Sequence, residues 1–308
     1  MQIYLPIAEL PVNVLLVLVM GLAVGFISGM FGIGGGFLMT PLLIFIGINP
    51  AVAVASVASH VAASSFSGAL NYWRRRALDV PLALMLLTGG LIGTTAGVWL
   101  FTLLRRLGQL DLTISLAYLI LLCSVGGMMM VESVRAIMRA RGGRPAEVRR
   151  PGSHLWIHGL PLKMRFKVSK IYVSVIPIWV IGFIIGFIGA IMGIGGGFLL
   201  VPALIYLIRV PTGVVIGTSM VLTLVTMTYA TIIHAATNHL VDALLALILM
   251  IGGVIGAQFG ARTGQRFSGE QLRLLLGLLV MMVGLRFAFD LVVQPHELFT
   301  VRSVEGQR

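Results

Sequence analysis

The sequence predicts an all-α integral membrane protein made of two inverted repeats, each a glycine-broken helical hairpin followed by three transmembrane helices. Three observations support this fold class. Hydrophobic residues make up 58% of the 308 residues and charged residues only 10%, whereas a soluble domain carries roughly 25% charged residues. Long apolar segments follow one another along the chain, and one glycine-rich sequence occurs twice. The bilayer is therefore the main solvent for this chain.

The apolar segments predict the helices in order. A helix needs about 20 apolar residues to cross a bilayer. Eight segments approach this length, and the other two are shorter, follow a glycine-rich break and contain a proline. The predicted segments are Val12–Phe31, Phe37–Ile48 (short), Ala51–Tyr72, Val80–Leu104, Leu112–Val134, Val173–Met192, Phe198–Ile208 (short), Gly213–His234, Leu240–Ala261 and Leu272–Leu291.

The placement of Lys and Arg predicts the orientation in the membrane. Cytoplasmic loops of membrane proteins carry an excess of these residues. With the N-terminus outside, seventeen of the 22 Lys and Arg residues fall on the cytoplasmic side and four on the outer side. Ten of them lie between Arg135 and Lys170. We interpret the first apolar segment, Val12–Phe31, as a span and not as a cleaved signal peptide. Together with the strong Lys and Arg bias, this predicts a multi-pass protein of the plasma membrane (the bacterial inner membrane).

The basic stretch also divides the chain. We expect a first transmembrane repeat in residues 1–134, a basic cytoplasmic linker in 135–172, a second transmembrane repeat in 173–293 and a C-terminal tail in 294–308. The linker alternates basic and apolar residues, which is typical of a segment that lies on anionic membrane lipids. Because the net charge of +12 is concentrated there, we do not expect a nucleic-acid partner. The single cysteine, Cys123, excludes an internal disulfide.

The internal repeat is the strongest signal in the sequence. Gly25–Ile44 and Gly186–Ile205 are identical at more than half of their twenty positions, including the GIGGGF segment and one proline. Asp79 and Asp242 also correspond, and each precedes a span as an expected N-cap. A hairpin crosses the membrane twice if its arms span it and not at all if it only dips in. With the three full spans that follow, each half therefore has five or three crossings, which is an odd number. Consecutive halves are then inverted, as in many secondary transporters whose site lies where broken helices meet.

The glycine-rich breaks are the first candidate site. In hydrocarbon, irregular backbone is tolerated only where it is buried in protein or lines a cavity. Glycine allows a ligand to approach backbone N–H groups, and a helix that starts after the break offers further donors to an anion. A plain tight turn is the alternative. The candidate anion-binding residues are Gly34, Gly35, Gly36 and Phe37 in the first half and Gly195, Gly196, Gly197 and Phe198 in the second.

Polar side chains inside two spans are the second candidate. Ser56, His60 and Ser64 recur on one helical face, and the span that starts at Gly213 carries a similar row of hydroxyls. Hydroxyls donate hydrogen bonds without carrying charge, which suits an anion path; helix packing is the alternative. An imidazole within a span could bind the anion or carry a coupled proton. The candidate residues are Ser59, His60, Thr218 and Ser219, with Ser59 aligned to Ser219 at an offset of 160.

The two GIGGGF segments with their downstream prolines, together with Gly217-Thr218-Ser219, resemble the sulfite exporter TauE/SafE family of membrane permeases. The resemblance covers both halves, from about Val12 to about Leu291, but the first copy reads Val57-Ala58-Ser59 where the second has the G-T-S motif. The resemblance implies transport of a small sulfur-containing or carboxylate anion, with sulfite and organosulfonates as the usual substrates.

We therefore expect a permease that works by alternating access and binds a small anion, with protons as a candidate second partner. No ATP-binding loop is present, and we expect no cofactor, no metal site and no catalytic residues. A passive anion channel is the alternative. An intramembrane enzyme would need paired carboxylates or a metal cluster within the spans, which offer one central histidine and no central acid. The sequence leaves the oligomeric state, the direction of transport and the anion open.

Overall fold

The computed structural model describes residues 2–31, 34–74, 78–141, 161–166, 168–169, 171–208, 210, 212–264 and 269–292. These residues form ten α-helices and two short β-hairpins. The strands are β1 (Gln2–Leu5), β2 (Leu10–Asn13), β3 (Lys163–Phe166) and β4 (Ile171–Ser174). The helices are α1 (Val14–Phe31), α2 (Gly36–Phe45), α3 (Pro50–Arg74), α4 (Val80–Arg106), α5 (Leu110–Arg141), α6 (Val175–Met192), α7 (Gly197–Ala203), α8 (Thr212–Ile233), α9 (Ala243–Gly264) and α10 (Gly269–Val292).

The all-α membrane fold is confirmed. Each predicted apolar segment contains one helix, and seven helices within the described residues are long and apolar enough to cross a membrane. α2 has ten residues and α7 has seven, followed by a π-helical stretch at Leu204–Ile208. At 1.5 Å per residue, α2 is about 15 Å long, roughly half of the hydrocarbon thickness. The second arm of the first hairpin is therefore a half-helix.

The two β-hairpins are the part of the fold that the sequence analysis missed. Strands β1 and β2 pair antiparallel just before α1, and β3 and β4 do so just before α6. Corresponding strands lie 161 residues apart, so the repeat extends beyond the membrane segments. Helix α1 begins two residues later than predicted because Asn13 ends β2 and its Oδ1 accepts a hydrogen bond from Leu15 N at 3.0 Å. Ser174 Oγ caps α6 in the same way through Ile176 N.

Helices from different halves form the closest pairs. α1 packs along α9, and α4 packs along α6. Glycines permit this approach: a Cβ atom on Gly25 would lie 2.6 Å from Gly253 Cα, and one on Gly93 would lie 2.8 Å from the carbonyl carbon of Phe183. Small residues commonly let helices approach closely in membranes, and these glycines occupy such contacts. Because α1 corresponds to α6 and α9 to α4, the two pairs are equivalent.

Two further pairs each join a helix to its own counterpart. α3 packs on α8, and α5 packs on α10. Among the helices long enough to span a membrane, α3 is the most buried. The largest helix contacts within the described residues thus each have an equivalent pair or are equivalent to themselves, which is the contact pattern expected of two related halves. The opposite orientation of the halves in the membrane remains the prediction of the parity argument.

Asp242 and Asp79 each hold the turn of a hairpin from the opposite half. Asp242 caps α9, as expected: its Oδ1 accepts from Leu244 N and Leu245 N at 3.1 Å each. Its Oδ2 accepts from Ile7 N, in the β1–β2 turn, at 3.0 Å. Asp79 occupies the N-cap position of α4 without a side-chain capping bond. Its Oδ2 instead accepts from Ser169 N at 2.9 Å and Ser169 Oγ at 2.7 Å, so the capping role predicted for its side chain is wrong.

We expect Asp242→Ala to lower the thermal stability of the protein. The change removes three hydrogen bonds to a buried carboxylate, and the loss of an N-cap alone costs about 0.5–2 kcal/mol. The measurement is the midpoint of thermal unfolding of the purified protein in detergent. Asp111→Ala is the matched control, since Asp111 lies exposed in the first turn of α5. Equal midpoints for both variants would show that the hairpin contact contributes nothing measurable.

Candidate functional site

The two glycine segments meet in the interior of the protein. A Cβ atom on Gly36 would lie 2.6 Å from the carbonyl oxygen of Ile194 and would also meet that of Gly193. One residue further along each half, the rings of Phe37 and Phe198 stack with centroids 4.6 Å apart and planes 9° from parallel. Both rings are buried. The sequence predicted each segment separately, and the structure brings the two together.

The backbone of these segments requires glycine at several positions. Gly34 has φ 84° and Gly195 has φ 72°, in the left-handed region that side chains disfavour. The next pair differs: Gly35 has φ 57°, whereas Gly196 is right-handed at −61°. Gly34 O accepts a hydrogen bond from Gly36 N at 2.6 Å, although both helices begin with equivalent bonds, from Met39 N to Gly35 O and from Leu200 N to Gly196 O. The halves are therefore related in sequence without having identical backbones at the break.

Three side chains from α3 and α8 lie near the glycine segments, and two of the three lie near both segments. Val61 of α3 and Thr223 of α8 each approach Gly34 and Gly195, and Ser65 of α3 approaches Gly34. Ser65 Oγ lies 3.5 Å from the position of a Cβ on Gly34, and Thr223 Oγ1 lies 3.7 Å from that on Gly196. Both hydroxyls are buried and have no hydrogen-bond partner within the described residues. Such groups are costly to bury unless something binds them.

The hydroxyls of Ser59 and Ser219 are bonded within their own helices. Ser59 Oγ donates to Ser56 O at 2.6 Å, and Ser219 Oγ donates to Ile216 O at 2.8 Å. Thr218 is buried, and its Oγ1 has no partner in the described part of the chain. Of these residues, none is among the nearest neighbours of Gly34, Gly35, Gly195 or Gly196. A role for them in binding remains a prediction.

His60 lies against α9 and not directly at the glycine segments. Its Nδ1 is 2.7 Å from Leu249 O, and its ring packs on Gly253. One turn earlier, Ser56 Oγ accepts from Asp242 N at 3.0 Å. The Ser56–His60 face of α3 is thus a helix-packing face, which was the alternative interpretation of this row. Val61, the next residue, points towards Gly34 and Gly195.

The alignment of α3 with α8 at an offset of 160 is wrong. Val61 and Thr223 occupy equivalent places, because each approaches both Gly34 and Gly195. His60 packs on Gly253 as Leu222 packs on Gly90. These two correspondences, 61 with 223 and 60 with 222, give an offset of 162. Because consecutive helical residues point about 100° apart, a shift of two positions placed Ser59 opposite the wrong residue.

Sequence reasoning left out Ser65 and Thr223 as candidate ligands. Thr223 belongs to the predicted row of hydroxyls on α8, and Ser65 is the neighbour of Ser64 in the row on α3. The signal in the sequence that could have pointed to Ser65 was the adjacent pair Ser64-Ser65, which places hydroxyls on two faces of α3. Periodicity alone does not tell which face turns towards the glycine breaks, since that depends on how α3 rotates between α8 and α9.

The junction offers uncharged hydrogen-bond donors and no fixed charge. Helices α1, α2, α6, α7 and α8 contain no Asp, Glu, Lys or Arg. Within the described residues, no three His, Cys, Asp or Glu side chains lie together as a metal site. Within the described residues, the hydroxyls of Ser65 and Thr223 are donors without a partner at this place, and the backbone of the glycine segments lies beside them. Such a set can stabilise a small anion without the desolvation cost of a buried cation.

Comparisons with known proteins show which family the chain belongs to. A family profile described as "Sulfite exporter TauE/SafE" matches residues 17–287. The chain is 27% identical over 270 residues to the "Probable membrane transporter protein YjnA" of Bacillus subtilis, covering 88% of this chain and 98% of that protein. It is 30% identical over 272 residues to a "Probable membrane transporter protein" of Xylella fastidiosa, covering 85% and 90% of the two chains.

A shorter region resembles the "Sulfite exporter TauE/SafE family protein 3" of Arabidopsis thaliana, with 31% identity over 123 residues, which is 39% of this chain and 26% of that protein. No solved structure gives a significant match.

Proposed function

Because the chain belongs to the sulfite exporter TauE/SafE family, we propose that it is a secondary transporter of the plasma membrane that moves a small anion by alternating access. The substrate class is sulfite, an organosulfonate or a related sulfur-containing or carboxylate anion. The observation that carries this proposal is the junction of the two closely packed glycine segments, beside which the buried hydroxyls of Ser65 and Thr223 have no hydrogen-bond partner within the described residues.

The anion would bind between residues 34–37 and 195–198. Backbone N–H groups would donate to its oxygen atoms, and Ser65 and Thr223 would add hydroxyl donors. The absence of charged residues from five of the surrounding helices favours a small anion that can exchange several hydration bonds for neutral donors. It also favours release, because binding by a buried cation would hold the anion more tightly.

Alternating access requires the two halves to expose the junction to one side at a time. Equivalent helix pairs, α1 with α9 and α4 with α6, cross between the halves and offer two similar interfaces for such a motion. The stacked rings of Phe37 and Phe198 are buried at the junction. A carrier needs such an occluded centre, whereas a passive channel, the alternative function, needs a continuous water-filled path.

Thr223→Val tests the binding site. Valine keeps the shape of threonine and removes a hydroxyl that has no partner within the described residues, so folding should be retained. A hydrogen bond to a charged group contributes about 1.5–3 kcal/mol, and we expect kcat/KM for flux to fall roughly 10- to 100-fold. The measurement is initial anion flux in liposomes carrying the purified protein, with sulfite, thiosulfate, sulfate, sulfoacetate and small carboxylates as probes.

Thr228→Val is the matched control. Thr228 lies on the same helix, is exposed, and donates its hydroxyl to Leu224 O at 2.7 Å. We expect wild-type flux from this variant. Equal flux from Thr223→Val and wild type would place the anion elsewhere. Flux that rises without saturation and follows the membrane potential would identify a channel, and no flux of any probe by folded protein would contradict the transport function.

A further inference from the structure

His60 has a buried nitrogen that the proposed binding site does not use. The ring is 0% exposed, and Nδ1 is 2.7 Å from the carbonyl oxygen of Leu249. A carbonyl oxygen only accepts hydrogen bonds, so Nδ1 must carry the proton of this bond. In the neutral ring Nε2 is then a lone pair, and it has no hydrogen-bond partner within the described residues. His60 therefore presents a buried site that can take a proton.

Packing does not require histidine at this position. The equivalent residue in the other half is Leu222, whose side chain packs on Gly90 as His60 packs on Gly253. A leucine fills the same kind of space against the same kind of glycine. The difference between the halves is thus chemical: one half has an apolar side chain at this place, and the other has a titratable ring with one nitrogen that no described residue binds.

A proton on His60 would have no counter-ion from the described protein. Of the helices that pack on α3, α1, α2, α6 and α8 contain no charged or histidine residue. On α9, the residues facing His60 are Leu249 and Gly253, and the charged residues, Asp242 and Arg262, lie at its two ends. Both carboxylate oxygens of Asp242 accept backbone hydrogen bonds.

Helix α5 also packs on α3 and has charged side chains only near its ends, at Asp111 and from Glu132 onwards. An isolated buried charge is strongly disfavoured. An anion at the glycine junction would supply the missing counter-charge. His60 directly precedes Val61, which approaches both Gly34 and Gly195, while the His60 ring itself faces Leu249 and Gly253 of α9.

We propose that His60 Nε2 binds one proton together with the anion, which makes the protein a proton-coupled anion symporter. This inference rests on the proposed transport function. The proton comes from the water on the side from which the anion binds and adds to the Nε2 lone pair, while Nδ1–H remains on the Leu249 carbonyl. It leaves to the water on the other side when the anion leaves. Coupling is reciprocal: the anion favours the protonated ring, and the protonated ring favours the anion.

The experiment measures accumulation of methanesulfonate in proteoliposomes that contain the full chain. Methanesulfonate stays a monovalent anion throughout the neutral range, so any proton dependence belongs to the protein. With the acidic side on the side of the added anion, one proton per anion drives accumulation by up to about tenfold per pH unit. Because the two charges cancel, this accumulation should not change when a potassium gradient with valinomycin sets the membrane potential. Thiosulfate is run in parallel as a second probe.

The variants are His60→Leu, which copies the other half, and His60→Asn, which keeps a hydrogen-bond donor for Leu249 O without a titratable ring. We expect both to lose accumulation driven by the pH gradient, and any residual methanesulfonate flux to become sensitive to the membrane potential. Thr228→Val should accumulate the anion as wild type does. Gel filtration establishes that each variant is folded.

Accumulation driven by the pH gradient in either His60 variant, or wild-type flux that ignores the pH gradient, would overturn the proton coupling and leave the transport function standing. No flux of these or the other anion probes by folded wild-type protein would overturn the transport function, and the coupling with it.

Discussion

Replacing Gly36 by alanine is expected to abolish anion flux. Gly36 begins α2, where alanine would ordinarily stabilise a helix by up to about 1 kcal/mol relative to glycine. Here the added Cβ would lie 2.6 Å from both Ile194 O and Val61 Cγ2 and would also meet Gly193 O. Two of these neighbours are backbone of the opposite glycine segment, so no change of rotamer relieves the overlap. The two segments must separate, and the proposed binding junction loses its geometry.

The measurement is initial flux of the transported anion in liposomes, together with the unfolding midpoint of the same preparation. Gly127→Ala is the matched control, because a Cβ there would meet only Met281 Cε at an ordinary 3.5 Å. This variant should transport normally and be as stable as wild type or slightly more so. Normal flux from folded Gly36→Ala protein would show that close contact between the glycine segments is not needed for transport.

The second large effect is expected at the interfaces that join the halves. In α4, a Cβ on Gly93 would lie 2.8 Å from the carbonyl carbon and 3.0 Å from Cα of Phe183 in α6. In the interface between α1 and α9, the equivalent residue is Gly256 of α9, where a Cβ would lie 2.7 Å from Phe26 N of α1. Overpacking typically costs 1–3 kcal/mol. Contacts with backbone cannot relax, so we expect about 3 kcal/mol for each alanine variant.

Both variants should lower the midpoint of thermal unfolding in detergent by similar amounts, because the two interfaces are equivalent. They lie in separate helix pairs, so the double variant should show the sum of the two losses, as distant sites usually do. A Gly127→Ala preparation is again the reference. An unchanged midpoint for Gly93→Ala, or a large effect at Gly93 with none at Gly256, would contradict the equivalence of the two interfaces.

Hydropathy and the glycine pattern were enough to predict the membrane fold, the helices and the glycine breaks. These features are local. A run of about 20 apolar residues suffices to predict a span, and a helix cannot continue undisturbed through Gly34-Gly35-Gly36. The repeat predicted that the two glycine breaks are related in structure and in role. The limits were also local: the apolar residues of β2 and β4 continue into the helices that follow, so hydropathy placed the last two residues of each strand inside the predicted spans.

The tertiary structure decided which residues face the junction and which partners each helix has. Ser64 and Ser65 are neighbours in sequence but point about 100° apart on α3, and only the rotation of α3 between α8 and α9 selects Ser65 for the glycine segment. The same rotation turns His60 towards Leu249, and no other described residue binds its Nε2. Likewise, Asp79 satisfies every sequence rule for an N-cap, yet its carboxylate binds Ser169, 90 residues away. Local pattern sets what a residue can do, and long-range packing decides which partner it meets.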